Sequence, residues 1–130
     1  MLLSIIVPTY NESKNILPFV KAITSTIKSK DYEIIFVDDD SADKTYKIVN
    51  DISYKFNMVR CIRRIGRRGL SSAVIEGCLS SSSTLLLVMD ADLQHDEKKI
   101  PKMISWMKKE KLDLVAGTRF LYNTKTTGPS

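Results

Sequence analysis

Two aspartates separated by one residue, Asp90 and Asp92, follow directly after five apolar residues, Leu85–Met89. Such a run is typical of a strand buried in a parallel sheet, and the acids then mark its carboxyl end. Gln94 adds a neutral oxygen two residues further on. Hard divalent cations prefer such oxygen ligands. Because only three side chains would bind the ion, coordination positions remain for the phosphate oxygens of a bound substrate. An Asp-x-Asp pair alone is more often a solvated strand end, so the interpretation depends on the rest of the chain.

Polar residues also follow the other predicted strands. Residues 8–12 come after the first strand, residues 38–41 after the second, and Thr118 with Arg119 after the last. In a sheet of parallel strands, ligands bind outside the carboxyl ends of the strands, where the strand order reverses. We therefore expect these clusters to lie together at one edge of the sheet. Acids gathered there repel one another unless a cation or ligand hydroxyl groups offset the repulsion.

The elements that position these clusters alternate as short apolar runs and helical patterns. The predicted strands span residues 3–7 (closed by Pro8), 33–37, 58–62, 85–90 and 112–116. The predicted helices span residues 13–29, 44–55, 69–79 and 97–109. Successive βα units with strands that are apolar on both faces predict an α/β fold in three layers, a mostly parallel sheet with helices on both faces.

The helical patterns also predict local features. Pro18 stands near enough to the start of the first helix to be tolerated, or it delays that helix by a few residues. Asp43 or Ser41 is the expected cap of the second helix. Apolar spacing gives the expected packing positions of the first three helices. These are Ile16, Val20, Ile23 and Ile27, then Ile48, Val49 and Ile52, then Leu70, Ala73, Val74 and Gly77.

Composition bounds the class of protein. The 130 residues, 43% hydrophobic and 27% charged, suit one globular domain, expected at residues 1–122 with a disordered tail at 123–130. No apolar run is long enough to span a bilayer, and no signal peptide pattern precedes the first strand. Two cysteines without a disulfide or zinc pattern indicate reduced thiols, so a cytoplasmic location is expected. The net charge of +5 favours anionic partners.

Four motifs occur in an order and spacing that resemble those of the family 2 glycosyltransferases. They are VPTYNE at 7–12, VDDDSADKT at 37–45, GLSSA at 69–73 and DADLQH at 90–95. Within that family, the DADLQH form followed by Ile100, Pro101 and GTRF at 117–120 most resembles the dolichol-phosphate (polyprenol-phosphate) mannosyltransferases. The resemblance covers residues 3–120. Each motif is modest alone, but the series is highly specific.

The resemblance implies a Rossmann-like nucleotide-diphosphosugar transferase (GT-A) fold and a set of residue roles. Asp90, Asp92 and Gln94 would surround Mg²⁺ or Mn²⁺ and the donor diphosphate, with Asp92 and Arg119 as catalytic residues. Arg119 would bind a phosphate of the donor or of a lipid acceptor. Small residues would let the backbone approach the donor closely. Donor contacts are implied for Pro8, Tyr10, Glu12, Val37, Asp39 (or its neighbour Asp38), Gly69, Ala73, Asp90, Ala91 and Arg119.

The implied reaction is the inverting transfer of mannose from GDP-mannose to a polyprenyl or dolichyl phosphate at the cytoplasmic face of a membrane. A divalent ion would stabilise the charge that builds on the leaving diphosphate. The lipid phosphate, with a second pKa of about 6, would arrive deprotonated. UDP-glucose is the alternative donor. Because full-length relatives continue further, we expect a donor-binding portion truncated at its C-terminus, and a binding-only fragment is a second hypothesis.

Two features of the sequence keep more than one interpretation. His95 beside the acids suits a metal or phosphate contact, or a solvated side chain. The basic cluster suits phosphates, an anionic membrane surface, or a solvated loop. Nucleic acid is disfavoured because no aromatic residues interleave with that cluster. Its members are Arg60, Arg63, Arg64, Arg67 and Arg68.

Two other classes of protein fit the sequence less well. A response-regulator receiver domain would use residues 37–40 as its acidic pair and Asp90 as its phosphoacceptor. It would leave residues 8–12, Asp92 and Gln94 without a role, and no strand-end lysine follows Thr118. A dinucleotide-dependent oxidoreductase is disfavoured because no Gly-x-Gly-x-x-Gly follows the first strand.

Overall fold

The computed structural model describes residues 1–92, 101–102, 105 and 114–117. The strands in this part of the chain are β1 Leu3–Thr9, β2 Tyr32–Asp38, β3 Val59–Arg63, β4 Leu85–Met89 and β5 Leu114–Gly117. Its helices are α1 Ser13–Thr26, α2 Thr45–Ser53 and α3 Leu70–Leu79. These bounds lie close to the predicted ones. Residues 101–102 and 105 are also helical, as the sequence predicts.

The strands form one parallel sheet in the order β3-β2-β1-β4-β5. Chain order runs outward from β1 in one direction to β3 and in the other direction through β4 to β5. The strand order therefore reverses between β1 and β4, which is where sheets of this kind bind ligands. The predicted parallel α/β architecture is confirmed.

Alternate residues of the strands build two apolar cores, one on each face of the sheet. The larger core lies under α1 and α2 and includes Ile5, Val7, Ile34, Phe36 and Leu87. The smaller core lies under α3 and includes Ile6, Ile35, Val37, Ala73 and Val88. Burial on both faces is what the unbroken apolar runs predict. Helix packing is confirmed for Ile16, Val20 and Ile23, which are fully buried.

Helix α3 approaches the sheet unusually closely at Gly77. A Cβ atom there would lie 2.6 Å from Cγ2 of Ile6 and 2.9 Å from Cγ2 of Val37.

The predicted packing of Leu70 is wrong, since this residue is 65% exposed. Leu70 is the first residue of α3, and the N–H of Gly69 before it donates to Asp39, which follows the last residue of β2, so Leu70 stands at the end of the helix that borders the carboxyl edge of the sheet.

Three local expectations are refined by the structure. Strand β1 does not close at Pro8 but continues to Thr9. Helix α1 begins at Ser13 and includes Pro18, so the proline does not delay it. The predicted cap of α2 is wrong, since the cap position is held by Lys44 and not by Asp43 or Ser41. Asp43, the residue before it, accepts from the Thr45 N–H through Oδ1 at 3.0 Å.

None of the described helices has the length and apolar character that a membrane crossing requires. For the predicted fourth helix, the sequence favours packing of Ile100, Met103, Ile104 and Met107. These four residues and the predicted tail at 123–130 lie outside the described residues.

Candidate active site

At the carboxyl edge of the sheet, the strand order reverses between β1 and β4. Strand β1 pairs with β2 as far as Thr9 and Asp38, but its pairing with β4 stops at Ile6 and Val88. Pro8, which donates no backbone hydrogen bond, lies two residues beyond Ile6. The last residues of β1 are therefore not paired with β4, and we refer to this gap between the two strands as the crevice.

The side chain of Asp38 links the segments at this edge of the sheet by hydrogen bonds. Its side chain is fully buried. Its Oδ1 accepts from the hydroxyls of Thr9 and Ser41, each at 2.7 Å, and its Oδ2 accepts from the Ser41 N–H at 3.0 Å. Hydrogen bonds of this kind stabilise a buried carboxylate. Of the two neighbouring aspartates considered for donor contact, Asp38 thus joins the ends of β1 and β2.

A second network ties the loop after β1 to the start of α2. Three successive backbone N–H groups of residues 11–13 donate to Ser41 Oγ at 2.8 Å, Thr45 Oγ1 at 3.0 Å and Asp43 Oδ2 at 3.1 Å. Burial alone would raise the pKa of Asp43, but hydrogen bonds from Thr45 and Ser13 hold it below its ordinary value.

Three residues other than glycine at this edge have left-handed backbone conformations. They are Asn11, Asp40 and Lys44, with φ of 55°, 52° and 60°. Such conformations persist where surrounding contacts fix them, and they concentrate at functional sites. Asn11 belongs to the network just described, Lys44 lies between its members Asp43 and Thr45, and Asp40 lies between Asp39 and Ser41, so the loops of this edge are held in defined shapes.

Asp39, the second of the three aspartates, forms a buried ion pair with Arg64. Arg64 Nε lies 2.7 Å from Asp39 Oδ1, and Arg64 Nη2 lies 3.3 Å from Oδ2. The Gly69 N–H donates to the same Oδ2 at 2.9 Å, and the Gly69 carbonyl accepts from Arg64 Nη2 at 3.2 Å. The side chain of Arg64 is 1% exposed, and its hydrogen bond to Asp39 raises its pKa above the ordinary value.

Arg68 extends this arrangement to the loop after β1. Its Nη2 donates to the Tyr10 hydroxyl at 3.0 Å, and its guanidinium carbon lies 4.8 Å from the centre of the Tyr10 ring. Arg68 also lines an open cleft of about 460 Å³, together with Asp39, Asp40, Arg64, Gly66 and Arg67. The cleft therefore combines carboxylates with guanidinium groups, and Tyr10 stands beside it.

The two aspartates that follow β4 stand across the β1 loop from this cleft. Asp90 is half-buried and Asp92 is exposed, and Ala91 between them is buried. Among the residues that the structure describes, no three histidine, cysteine, aspartate or glutamate side chains are grouped to hold a metal ion. Two carboxylates at the strand-order reversal still fit a hard cation whose other ligands are phosphate oxygens. Gln94, His95 and Arg119 lie outside the described residues.

The remaining predicted donor contacts divide between surface and core. Pro8 and Glu12 are half-buried beside the crevice, and Glu12 Oε2 accepts from Asn15 at 2.6 Å. Val37 and Ala73 are buried, and their side chains pack in the core under α3. The structure therefore brings Tyr10, Asp39 and Gly69 to the cleft and places Val37 and Ala73 behind it.

Neither Arg64 nor the hydroxyl groups that bind Asp38 were identified from the sequence. Arg64 was one of five arginines with no distinguishing mark. The signal that could have identified it is the register of the sheet, in which Asp38 pairs with Arg63 and the next residues, Asp39 and Arg64, follow in step. Thr9 carried a similar signal, since it pairs with Asp38.

Comparison with known proteins gives a consistent family match. The profile of glycosyl transferase family 2 matches residues 4–129. A dolichol-phosphate mannosyltransferase of Pyrococcus furiosus is 42% identical over 125 residues, covering 96% of this chain and 35% of that protein. One from Saccharomyces cerevisiae is 38% identical over 120 residues, covering 90% and 44%. The chain thus spans less than half the length of these curated relatives.

Solved structures share the fold. The mannosyltransferase PcManGT from Pyrobaculum calidifontis, in complex with GDP-Man and Mn²⁺, superposes with a TM-score of 0.67 at 23% identity, covering 82% of this chain and 31% of that one. S. aureus TarS in complex with UDP-GlcNAc superposes with a TM-score of 0.63 at 21% identity, covering 85% and 32%. At these identities the likeness establishes a GT-A glycosyltransferase fold and no more.

Proposed function

The chain belongs to glycosyl transferase family 2, and on that premise we propose that it carries the donor site of a metal-dependent, inverting mannosyltransferase. The donor is GDP-mannose and the acceptor is a dolichyl or other polyprenyl phosphate. The proposal concerns donor binding by this chain, and transfer by a protein of the relatives' length, because the chain spans 35% and 44% of the two relatives described.

The observation that carries the proposal is the layout of the carboxyl edge of the sheet. The cleft beside Asp39 lies over β2 and β3, and Asp90 follows β4, with β1 between them. Neighbouring strands are about 4.8 Å apart, so β2 and β4 are separated by about 10 Å. An elongated ligand suits this layout, with its nucleoside in the cleft beside Tyr10 and its diphosphate extended across β1 to Asp90 and Asp92.

The acids after β4 suit the phosphate end of the donor. Asp90 and Asp92, with Gln94 after them, would hold Mg²⁺ or Mn²⁺ through oxygen ligands. When bound, such an ion stabilises negative charge on the leaving diphosphate. The two aspartates would also help to fix the position of the sugar relative to the acceptor, and such positioning lowers the barrier of a transfer that proceeds in one step.

The reaction proposed is a single displacement. An oxygen of the lipid phosphate attacks the anomeric carbon, the bond between that carbon and the diphosphate breaks, and GDP leaves with the bonding electron pair. A phosphate monoester with a second pKa of about 6 is already deprotonated at neutral pH, so no strong general base is required. Arg119 would orient the acceptor phosphate. The exposed Arg67 and Arg68 beside the cleft also suit an anionic membrane surface that carries such a lipid.

Thermal unfolding of this chain tests the proposal directly. GDP-mannose with Mn²⁺ at about 100 times its dissociation constant should stabilise the fold by about 2.7 kcal/mol, a shift of several degrees. Chelation of the metal, or Asp92→Ala, should remove the shift, whereas Asp51→Ala on the exposed side of α2 should leave it intact. UDP-glucose should give a smaller shift. A folded chain that responds to neither donor would refute the proposed function.

A further inference from the structure

Arg64 is the only arginine of the basic cluster whose side chain is buried. Arg60 and Arg63 are each 42% exposed and Arg67 is 56% exposed, against 1% for Arg64. Arg64 follows β3 directly, and its backbone N–H donates to the Asp38 carbonyl at 2.8 Å. A cation is removed from water at this position only because a carboxylate and a carbonyl group replace the lost hydration.

The contacts of Arg64 close a ring of three residues. The guanidinium group binds both oxygens of Asp39 and the carbonyl of Gly69, and the Gly69 N–H binds Asp39 in turn. Gly69 has φ of 124°, a conformation that side chains rarely allow, so its peptide groups turn toward this ring. The ring joins the loop after β2 to the first turn of α3.

A guanidinium group does here what an ammonium group cannot do. Its planar fork fixes the plane of a carboxylate through two parallel hydrogen bonds and still has a donor left for a third acceptor. A lysine would preserve the charge beside Asp39, but a single point charge would neither define the orientation of the carboxylate nor reach Gly69 at the same time. Orientation and charge can therefore be separated by one substitution.

Both partners of Arg64 lie at the proposed donor site. Asp39 lines the cleft, and Gly69 is where the donor is expected to approach the backbone. We propose that Arg64 is a positioning residue, which fixes the Asp39 carboxylate and the Gly69 backbone so that together they receive the nucleoside part of the donor. This inference rests on the proposed function, and it adds a residue whose effect is on donor affinity.

The test compares Arg64→Lys with Arg60→Lys, the same change in the arginine–carboxylate pair at the opposite end of the sheet. GDP-mannose affinity with Mn²⁺ is measured by calorimetry on the 130-residue chain, with melting temperature as the check on folding. Arg64→Lys should weaken binding by about tenfold, the effect of one misaligned charge-assisted hydrogen bond. Arg60→Lys should change it less than about twofold. Equal affinities in two folded variants would overturn the inference.

Nuclear magnetic resonance of the wild-type chain gives a second readout that needs no variant. The Arg64 Nε–H should exchange slowly with water, and its signal and that of the Gly69 amide should shift when GDP-mannose is added. A rapidly exchanging Arg64 Nε–H, or two signals that stay unmoved at saturating donor, would contradict the inference. This measurement decides the question if Arg64→Lys does not fold.

The inference and the proposed function fail in different ways. If the wild-type chain binds no GDP-mannose, the proposed donor fails. The positioning role is then judged without ligand, by hydrogen exchange of the Gly69 amide, which Arg64→Lys should accelerate and Arg60→Lys should not. An unchanged exchange rate in Arg64→Lys would show that lysine holds Gly69 equally well, and the positioning role would be wrong.

Discussion

The two ends of the sheet carry the same chemistry with different surroundings. At the carboxyl end, Asp39 pairs with Arg64 at 2.7 Å, and their side chains are 11% and 1% exposed. At the amino end, Glu33 pairs with Arg60 at 2.8 Å, and their side chains are 14% and 42% exposed. Both carboxylates are shielded, but only one of the two arginines is. The ends therefore differ in where the cation stands, and not in the kind of pair.

The neighbours of each pair explain what it does. At the amino end, the Ser4 hydroxyl donates to Glu33 at 2.7 Å, and Arg60 donates to the carbonyl of Ser80 at 2.9 Å. These contacts fasten the turn after α3 to the sheet. At the carboxyl end, Asp39 and Arg64 border an open cleft. A pair of the same kind thus fastens a turn at one end and borders the candidate site at the other, and the carboxyl ends of parallel strands are where ligands bind in sheets of this kind.

The largest predicted effect separates the two arginine pairs by stability. Arg64→Ala should lower the free energy of unfolding by about 3 kcal/mol, toward the low end for buried pairs because Asp39 borders the cleft. Arg60→Ala should cost less than about 1 kcal/mol, as exposed pairs do. Urea unfolding of both variants measures the difference. Equal losses would mean that the exposure of the arginine does not determine how much the ion pair contributes to the free energy of unfolding.

A change in the core should affect stability and leave the two ends alone. Gly77→Ala places a methyl group 2.6 Å from Cγ2 of Ile6, so α3 or the sheet must shift. Overpacking of this kind costs about 2 kcal/mol. Urea unfolding should show that loss. Donor affinity measured on the folded variant should stay near the wild-type value, and a large loss of affinity would show that α3 transmits the displacement to Gly69 at its other end.

Hydroxyl groups allow a finer comparison of the two ends. Thr9→Val removes a donor from the fully buried Asp38, and Ser4→Ala removes one from Glu33, which keeps its bond to Arg60. A hydrogen bond to a buried charge contributes about 1.5 kcal/mol. We expect that loss for Thr9→Val and less than about 1 kcal/mol for Ser4→Ala. Chemical unfolding of both checks the order, and the reverse order would show that Asp38 depends little on Thr9.

Much of this fold was predictable because the sequence marks where the strands lie and where they end. Strands buried on both faces appear as unbroken apolar runs, and the acids after β2 and β4 mark where the runs leave the sheet. Parallel strands bring those ends to one edge, so the location of Tyr10, Asp39 and Asp90 followed from topology. The roles of Gln94 and Arg119, beyond the described residues, stay predictions.

The sequence did not predict which contacts each of two neighbouring, identical residues makes. Asp38 and Asp39 are adjacent and identical in type, yet one is bonded to Thr9 and Ser41 and the other to Arg64. Arg63 and Arg64 differ likewise, since Arg63 lies over the ring of Tyr46 at 3.8 Å and Arg64 is buried. Side chains alternate along a strand, so a shift of one residue exchanges these roles. The register of the strands cannot be read from composition, because it is defined by how the strands pair in the structure.

The smallest predicted effect is the loss of stability at low pH, and it is tested with one carboxylate from each end of the sheet. Burial would raise the pKa of Glu33, but hydrogen bonds from Arg60 and Ser4 and the charge of Arg60 hold it below its ordinary value of 4.5. The pKa of Asp43 is lowered too, by Thr45 and Ser13, against a smaller ordinary value of 3.8. A carboxyl group with a lowered folded-state pKa stabilises the fold above its unfolded-state pKa, and this contribution is lost as pH falls through the folded-state value.

Glu33→Gln and Asp43→Asn should therefore lower the melting temperature at pH 7 and have progressively less effect below the ordinary pKa of each group. Wild-type and variant melting curves should converge on acidification, first for Glu33→Gln because glutamate has the higher ordinary pKa. Melting temperatures measured between pH 7 and pH 3 test this order. A constant difference between wild type and Glu33→Gln across that range would mean that the carboxyl group contributes through packing. The amino end would then be held by Arg60 and the serines without help from the charge of Glu33.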